Sequence, residues 1–241
     1  MGNTSIVFFP GLHQPSDAVH FDRCMISAAR LWTRKSGFVV NDWMMDSGAF
    51  SEISMFGTYR HSEEEYAELI DRFRLCGNLL CAVSQDYMCE PFIVQRTGLN
   101  VITHQRLTVE RYKRLNDICK SVYILPVIQG YQPSEYVNHL SMYGDLLETG
   151  AWVGVGSVCK RNSRVESIVS VLEAIRNVRS DLRLHGFGLK QTALKSAYVR
   201  SMLYSADSMA WSFAARREGR NANDYREAMI FQQNIENQQL I

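Results

Sequence analysis

Tyr123-Ile-Leu-Pro-Val-Ile-Gln-Gly130 is a run of apolar and aromatic residues that ends on an amide and a glycine. A run this short, rich in β-branched side chains, reads as a strand. It shows no apolar/polar alternation, so both of its faces must be covered, as in a parallel sheet wrapped by helices. Further runs of this kind occupy residues 6–9, 38–46, 79–85, 152–156, 182–186 and 207–211, and amphipathic segments suited to helices lie between them at 22–33, 109–119, 133–149, 164–179, 192–204 and 223–238. Ser62 and Glu65 have capping-box spacing, which predicts a further helix starting there. Pro133 suits the first turn of another.

This alternation predicts an α/β fold, a single (β/α)8 barrel over residues 1–241. The seven runs fall one short of the barrel's eight, and the missing strand is expected near residues 100–103. A doubly wound open sheet is the alternative, but no Gly-x-Gly-x-x-Gly follows the first run. The polar residues favour the barrel. Asp46, Asp86, Gln129, Gly156-Ser157, His185-Gly186 and Asp207 all come at or just after apolar runs. In a barrel they would converge on the C-terminal face, where such folds place their active sites.

Composition sets the outer bounds. The chain has 46% hydrophobic and 21% charged residues, enough for a large core. Its 26 Lys and Arg nearly balance its 25 Asp and Glu, so any nucleic-acid surface must come from local clustering. No apolar run reaches membrane-spanning length and the first residues lack the pattern of a signal peptide, so cytoplasmic residence is the expectation. The six cysteines show neither Cys-x-x-Cys nor zinc spacing and read as reduced, mostly buried thiols.

Each polar candidate also has a plain structural reading. Asp46 before Ser47-Gly48 is ordinary turn chemistry, Asp86 can cap the next segment, and Gln129 can tie down a loop. The glycines at 154, 156, 186 and 188 can serve turns or let backbone approach a flat ligand. Asp207 can pair with Arg216 or Arg217. His185 can be a packed core residue.

Taken in order along the chain, these residues resemble a known family. Asp46-Ser-Gly-Ala-Phe50 resembles the Asp-Ser-Gly-Gly-Phe/Tyr motif of the tRNA-guanine transglycosylases, and Ile128-Gln-Gly130 is similar to that family's Gln-Gly segment. Val153-Gly-Val-Gly-Ser-Val158 resembles its Gly-Gly-Leu-Ala-Val stretch, and His185-Gly-Phe-Gly188 its Met/Leu-Gly-Val-Gly turn. Asp207 falls where the family carries its nucleophile. The zinc-binding Cys-x-Cys-x-x-Cys that follows in the tRNA enzymes has no counterpart, since no cysteine comes after Cys159. The chain therefore looks more like the DNA-directed branch, the DpdA-type 7-deazaguanine transglycosylases of phages and bacterial modification clusters.

The resemblance implies a pentosyltransferase that exchanges guanine in DNA for a 7-deazaguanine, such as 7-cyano-7-deazaguanine, without metal or cofactor. Asp207 would be the nucleophile and Asp46 the general acid/base. Asp86 and Gln129, with Gly130, would read the base edge. Gly156 and Ser157 would meet its 6-oxo side or 7-substituent, and Phe50 and His185, with Gly186, would sandwich it. Lys160, Arg161, Arg164, Lys190, Lys195, Arg216, Arg217 and Arg220 follow three of these strand ends and are the expected phosphate contacts. Alternatives are a zinc-less tRNA-guanine transglycosylase, a non-catalytic nucleic-acid-binding barrel, and an aldolase using Lys190 as a Schiff base.

Overall fold

The computed structural model describes residues 6–161 and 164–237, with the side chain of Lys160 excepted. Its strands are β1 (Val7–Leu12), β2 (Arg23–Ser27), β3 (Asp42–Asp46), β4 (Asn78–Val83), β5 (Ile124–Leu125), β6 (Val127–Ile128), β7 (Trp152–Val155), β8 (Arg183–Gly186) and β9 (Ser205–Ser208). They form one parallel sheet in the order β5-β4-β3-β2-β1-β9-β8-β7-β6. Its two edges, β5 and β6, are halves of the single run quoted above, parted only by Pro126.

That run closes the barrel. Carbonyls of Tyr123 and Leu125 accept from Ala82 and Ser84 beside β4, while those of Pro126 and Ile128 accept from Gly154 and Gly156 beside β7. Alternate residues of one extended chain face opposite neighbours, so a short strand can serve both. The nine segments therefore make eight strands, and the fold is a TIM-like (β/α)8 barrel. Past the end of β4, the Tyr143 hydroxyl takes over pairing with the run. It accepts from the Val127 N–H at 3.3 Å and donates to the Val127 carbonyl at 2.9 Å.

The eighth strand is not at residues 100–103. Asn100 instead caps a long helix, its side chain accepting from the Thr103 N–H at 2.9 Å. The strand missed is β2, inside a stretch that reads as helix. β1 reaches β2 through only a 3-10 turn, Pro15–His20, so no helix-length spacing announces it. The reading of 207–211 as strand also shifts, because β9 ends at Ser208 and a helix starts at Ala210.

Helices α1 (Ala49–Phe56), α2 (Glu63–Phe73), α3 (Pro91–Thr97), α4 (Val101–Ile118), α5 (Pro133–Tyr143), α6 (Val165–Val178), α7 (Gln191–Leu194), α8 (Ala197–Met202), α9 (Ala210–Arg217) and α10 (Tyr225–Glu236) surround the strands. The expected capping box opens α2, with Ser62 and Glu65 exchanging hydrogen bonds with each other's backbone. Pro133 stands in the first turn of α5. Two apolar layers result. The larger lies between strands and helices, and a smaller one fills the barrel with Phe9, Met25, Met44, Val83, Leu125, Val127 and Trp152 among others. All six cysteines are free thiols, four of them buried. Among the described residues no helix is long and apolar enough to cross a membrane.

Candidate active site

Side chains alternate along a strand, so the residue two places beyond an inward-facing one also faces inward, one layer nearer the strand's C-terminal end. From the apolar layer this step leads from Phe9 to Gly11, Met25 to Ser27, Met44 to Asp46, and Val127 to Gln129. In the same way Gly154 leads to Gly156, His185 to Phe187, and Ser205 to Asp207. All seven residues reached line one cavity of about 610 Å³ at the C-terminal face. Asp86, Ser157, Phe50, Glu90 and Gly188 complete much of its wall. The three aspartates singled out in the sequence thus meet.

Asp207 is 7% exposed. Its Oδ1 accepts from the Gly188 N–H at 2.9 Å and lies 3.3 Å from His185 Nε2. Among the described residues no hydrogen bond reaches Oδ2. A carboxylate only accepts, so His185 holds its proton on Nε2. Its Nδ1 then accepts from Ser205 Oγ at 2.9 Å, and that oxygen accepts from Trp152 Nε1 at 2.9 Å. A neutral imidazole satisfies every atom of this chain.

His185, expected to stack on the base, is fully buried against Asp207 and is not among the residues that line the cavity. The aromatic ring there is Phe187, edge-on to His185 at 4.7 Å between centroids. Gly186 likewise lies off the cavity, its Cα packed against Leu189, and Gly188 takes its place on the wall. Gly130 also falls outside it, packed on Tyr136 in the first turns of α5. Phe50 stands at the rim, 46% exposed, with Phe92 at 6.4 Å.

Asp46 accepts from the Gly48 N–H at 3.1 Å, so the turn reading of this residue holds alongside its place on the cavity. Burial raises its pKa above the ordinary carboxylate value, and the charge of Asp207 adds to the rise against hydrogen bonds from Ser27 and Gly48. Asp86 is pushed up to about 7, chiefly by burial, with the charges of Asp46 and Glu90 adding and the Gln129 amide opposing.

Gln129 is held from every side. Its Nε2 donates to Asp86 Oδ2, its Oε1 lies 2.8 Å from Ser157 Oγ, and its backbone N–H donates to His139 Nδ1 at 2.7 Å. Gly156 is glycine because the Gln129 amide occupies the space a Cβ would need. Ser157, with φ of 56°, turns its hydroxyl between Gln129 and Glu90 Oε2, also 2.8 Å away, and accepts from the Cys89 N–H at 3.0 Å. Glu90, 2% exposed, passed unnoticed in the sequence because it lies four residues beyond Asp86 at the start of α3.

The cavity therefore brings Asp46, Asp86 and Asp207 together with a wall of mixed hydrogen-bond donors and acceptors. The sequence profile of DpdA, DeoxyPurine in DNA protein A, matches residues 7–224. The chain belongs to the DpdA family. No curated protein matches the sequence. Membership in the DpdA family implies a transglycosylase-type enzyme with DNA as its substrate.

The cationic residues of this DpdA-family chain are not equivalent. Arg164, Lys190, Lys195, Arg216 and Arg217 are exposed, and Arg216 is close enough to His13 at the cavity mouth to lower that histidine's pKa, after burial and Arg30. Lys190 and Arg217 line a second cavity of about 340 Å³ with Phe213. Two expected phosphate contacts are otherwise engaged. Arg161 donates to the carbonyls of Ser157 and Tyr131 and lies over the Tyr131 ring at 4.6 Å. Arg220 is paired with Glu218 and, at 2.7 Å, with Glu227. Lys160's side chain lies outside the described residues. Arg30, which the sequence reading passed over, lines the mouth and contacts His13 Nδ1 at 3.2 Å.

Proposed function

We propose that this protein exchanges guanine in DNA for a 7-deazaguanine through a covalent aspartyl-sugar intermediate. The observation that carries the reading is the convergence of Asp46, Asp86 and Asp207 with Gln129 on one cavity in a DpdA-family barrel. Asp207 Oδ2 attacks C1′ of the target nucleotide while the bond from C1′ to N9 of guanine breaks. Asp46, its pKa raised, supplies a proton to the departing base. The incoming base gives its N9 proton to Asp46, and its N9 attacks C1′ and releases the Asp207 carboxylate. The sugar keeps its configuration through two inversions.

His185 acts through Asp207. With the Gly188 N–H it fixes Oδ1, which leaves Oδ2 as the attacking atom. Asp86 accepts from N1–H and the 2-amino group of the base, the Gln129 and Gly156 region meets its 6-oxo side, and Ser157 lies toward its 7-position. Phe50 and Phe187 offer stacking surfaces. A base inside a duplex cannot reach such a cavity, so the target is flipped out or taken from a single strand.

The test is incubation of the purified protein with a labelled 7-deazaguanine base and either DNA or tRNA. Label in DNA supports the reading. Label only in tRNA, or none in either, rejects it.

A further inference from the structure

The polar wall of the cavity is one hydrogen-bonded chain, and its order is fixed by contacts: Asp86, Gln129, Ser157, Glu90. The edge of a 7-deazaguanine presents its groups in matching order, from the donor pair at N1 and the 2-amino group, through the 6-oxo acceptor, to the 7-substituent. With Asp86 at the donor pair, as proposed above, Glu90 stands at the 7-substituent. We infer that Glu90 selects bases whose 7-substituent ends in an N–H donor, such as an aminomethyl or carboxamide group, over the nitrile.

Proton accounting supports this. The Ser157 hydroxyl has one proton and two acceptor neighbours, Glu90 Oε2 and Gln129 Oε1, each at 2.8 Å. Whichever receives it, Glu90 Oε1 remains an acceptor. Its neighbour is the thiol of Cys159, 3.9 Å away, a long contact from a weak donor. Glu90 and Cys159 both line the cavity. An N–H group from the ligand would supply Oε1 with a strong donor. A nitrile nitrogen only accepts and would meet another acceptor at the buried Glu90 carboxyl group, an arrangement that costs rather than gains.

The inference rests on the base-exchange reading but is tested apart from it. Calorimetric titration of the full chain with free 7-aminomethyl-, 7-carboxamido- and 7-cyano-7-deazaguanine reads the ranking directly. The aminomethyl and carboxamide bases are expected to bind about tenfold or more tighter than the nitrile. In Glu90→Gln the aminomethyl-to-nitrile ratio is expected to fall by about the same factor. Equal or tighter binding of the nitrile by the unaltered protein overturns the inference, as does an unchanged ratio in a folded Glu90→Gln variant. If that variant does not fold, the unaltered protein's ranking decides. Transfer of labelled guanine into DNA, which involves no 7-substituent, reports on the exchange reading alone. Preference without transfer therefore rejects the function but not the selectivity, and transfer with nitrile preference does the reverse.

Discussion

Asp207 and its support make the sharpest demands on single residues. In the proposed mechanism Asp207→Asn removes the nucleophile while keeping shape, and exchange is expected to drop by about 10³-fold or more, with no trapped sugar adduct on a denaturing gel. His185→Leu leaves Asp207 with one donor and the Ser205 hydroxyl proton without its acceptor in a buried site. Turnover is expected to fall about 10- to 100-fold with KM little changed, and His185→Gln, which can donate and accept, should recover part of the loss. A purely structural histidine would lower Tm in both variants without that split.

Asp86 gives a pH signature. In the proposed mechanism Asp86 reads the base as the carboxylate, so exchange should rise with pH through about 7. The sign for stability is opposite. The folded state holds this proton above the unfolded value of about 3.9, so the folded state binds more protons between the two values. Stability therefore falls as pH rises toward about 7 and levels off above it. Asp86→Asn should lose base binding by about tenfold or more and flatten the pH dependence of Tm in that window.

Among the elements, the divided strand β5/β6 has the most unusual task. Proline removes a donor from a central position, and β4 ends too early to satisfy Val127. The Tyr143 hydroxyl from α5 makes both missing bonds. Tyr143→Phe leaves a buried N–H and C=O unpaired. It is expected to cost about 1–3 kcal/mol, read as a lower urea midpoint. Because Gln129 follows this strand directly, base exchange should weaken in parallel. Helices α1 and α3 contribute differently. Gly48, with φ of 79°, turns the chain between Asp46 and α1 and brings its N–H to the carboxylate, while Glu90 at the start of α3 extends the cavity wall.

For the whole molecule, net charge of only +1 means that DNA must be held by placement rather than by total charge. The exposed Arg216 and Arg217 lie beyond the β9 end of the barrel, and among the described residues neither is locked in an ion pair as Arg220 is. Replacing either with alanine should weaken DNA binding uniformly across sequences. Each should reduce the slope of log K against log salt by about 0.7–0.9 in fluorescence anisotropy titrations. Arg220→Ala should leave that slope unchanged, because its guanidinium already faces two glutamates.

The barrel and the identity of its polar strand ends are legible in the order of residues alone. Short apolar runs that end on Asp46 and Gln129 encode both burial and direction, because a parallel strand covered on both faces can expose polar groups only at its end. The place of β2 was not legible, since Arg23-Cys-Met-Ile-Ser27 is too short to show a period and no helix precedes it. Tertiary structure alone decided which face each strand-end residue presents. His185 and Phe187 are two places apart and point the same way, but one layer of depth separates a residue buried under the carboxylate from one lining the cavity. It also decided that Arg161 and Arg220 are engaged by nearby groups and that Glu90 joins the cavity wall. These facts depend on contacts between residues far apart in the chain, and no local pattern of side chains records them.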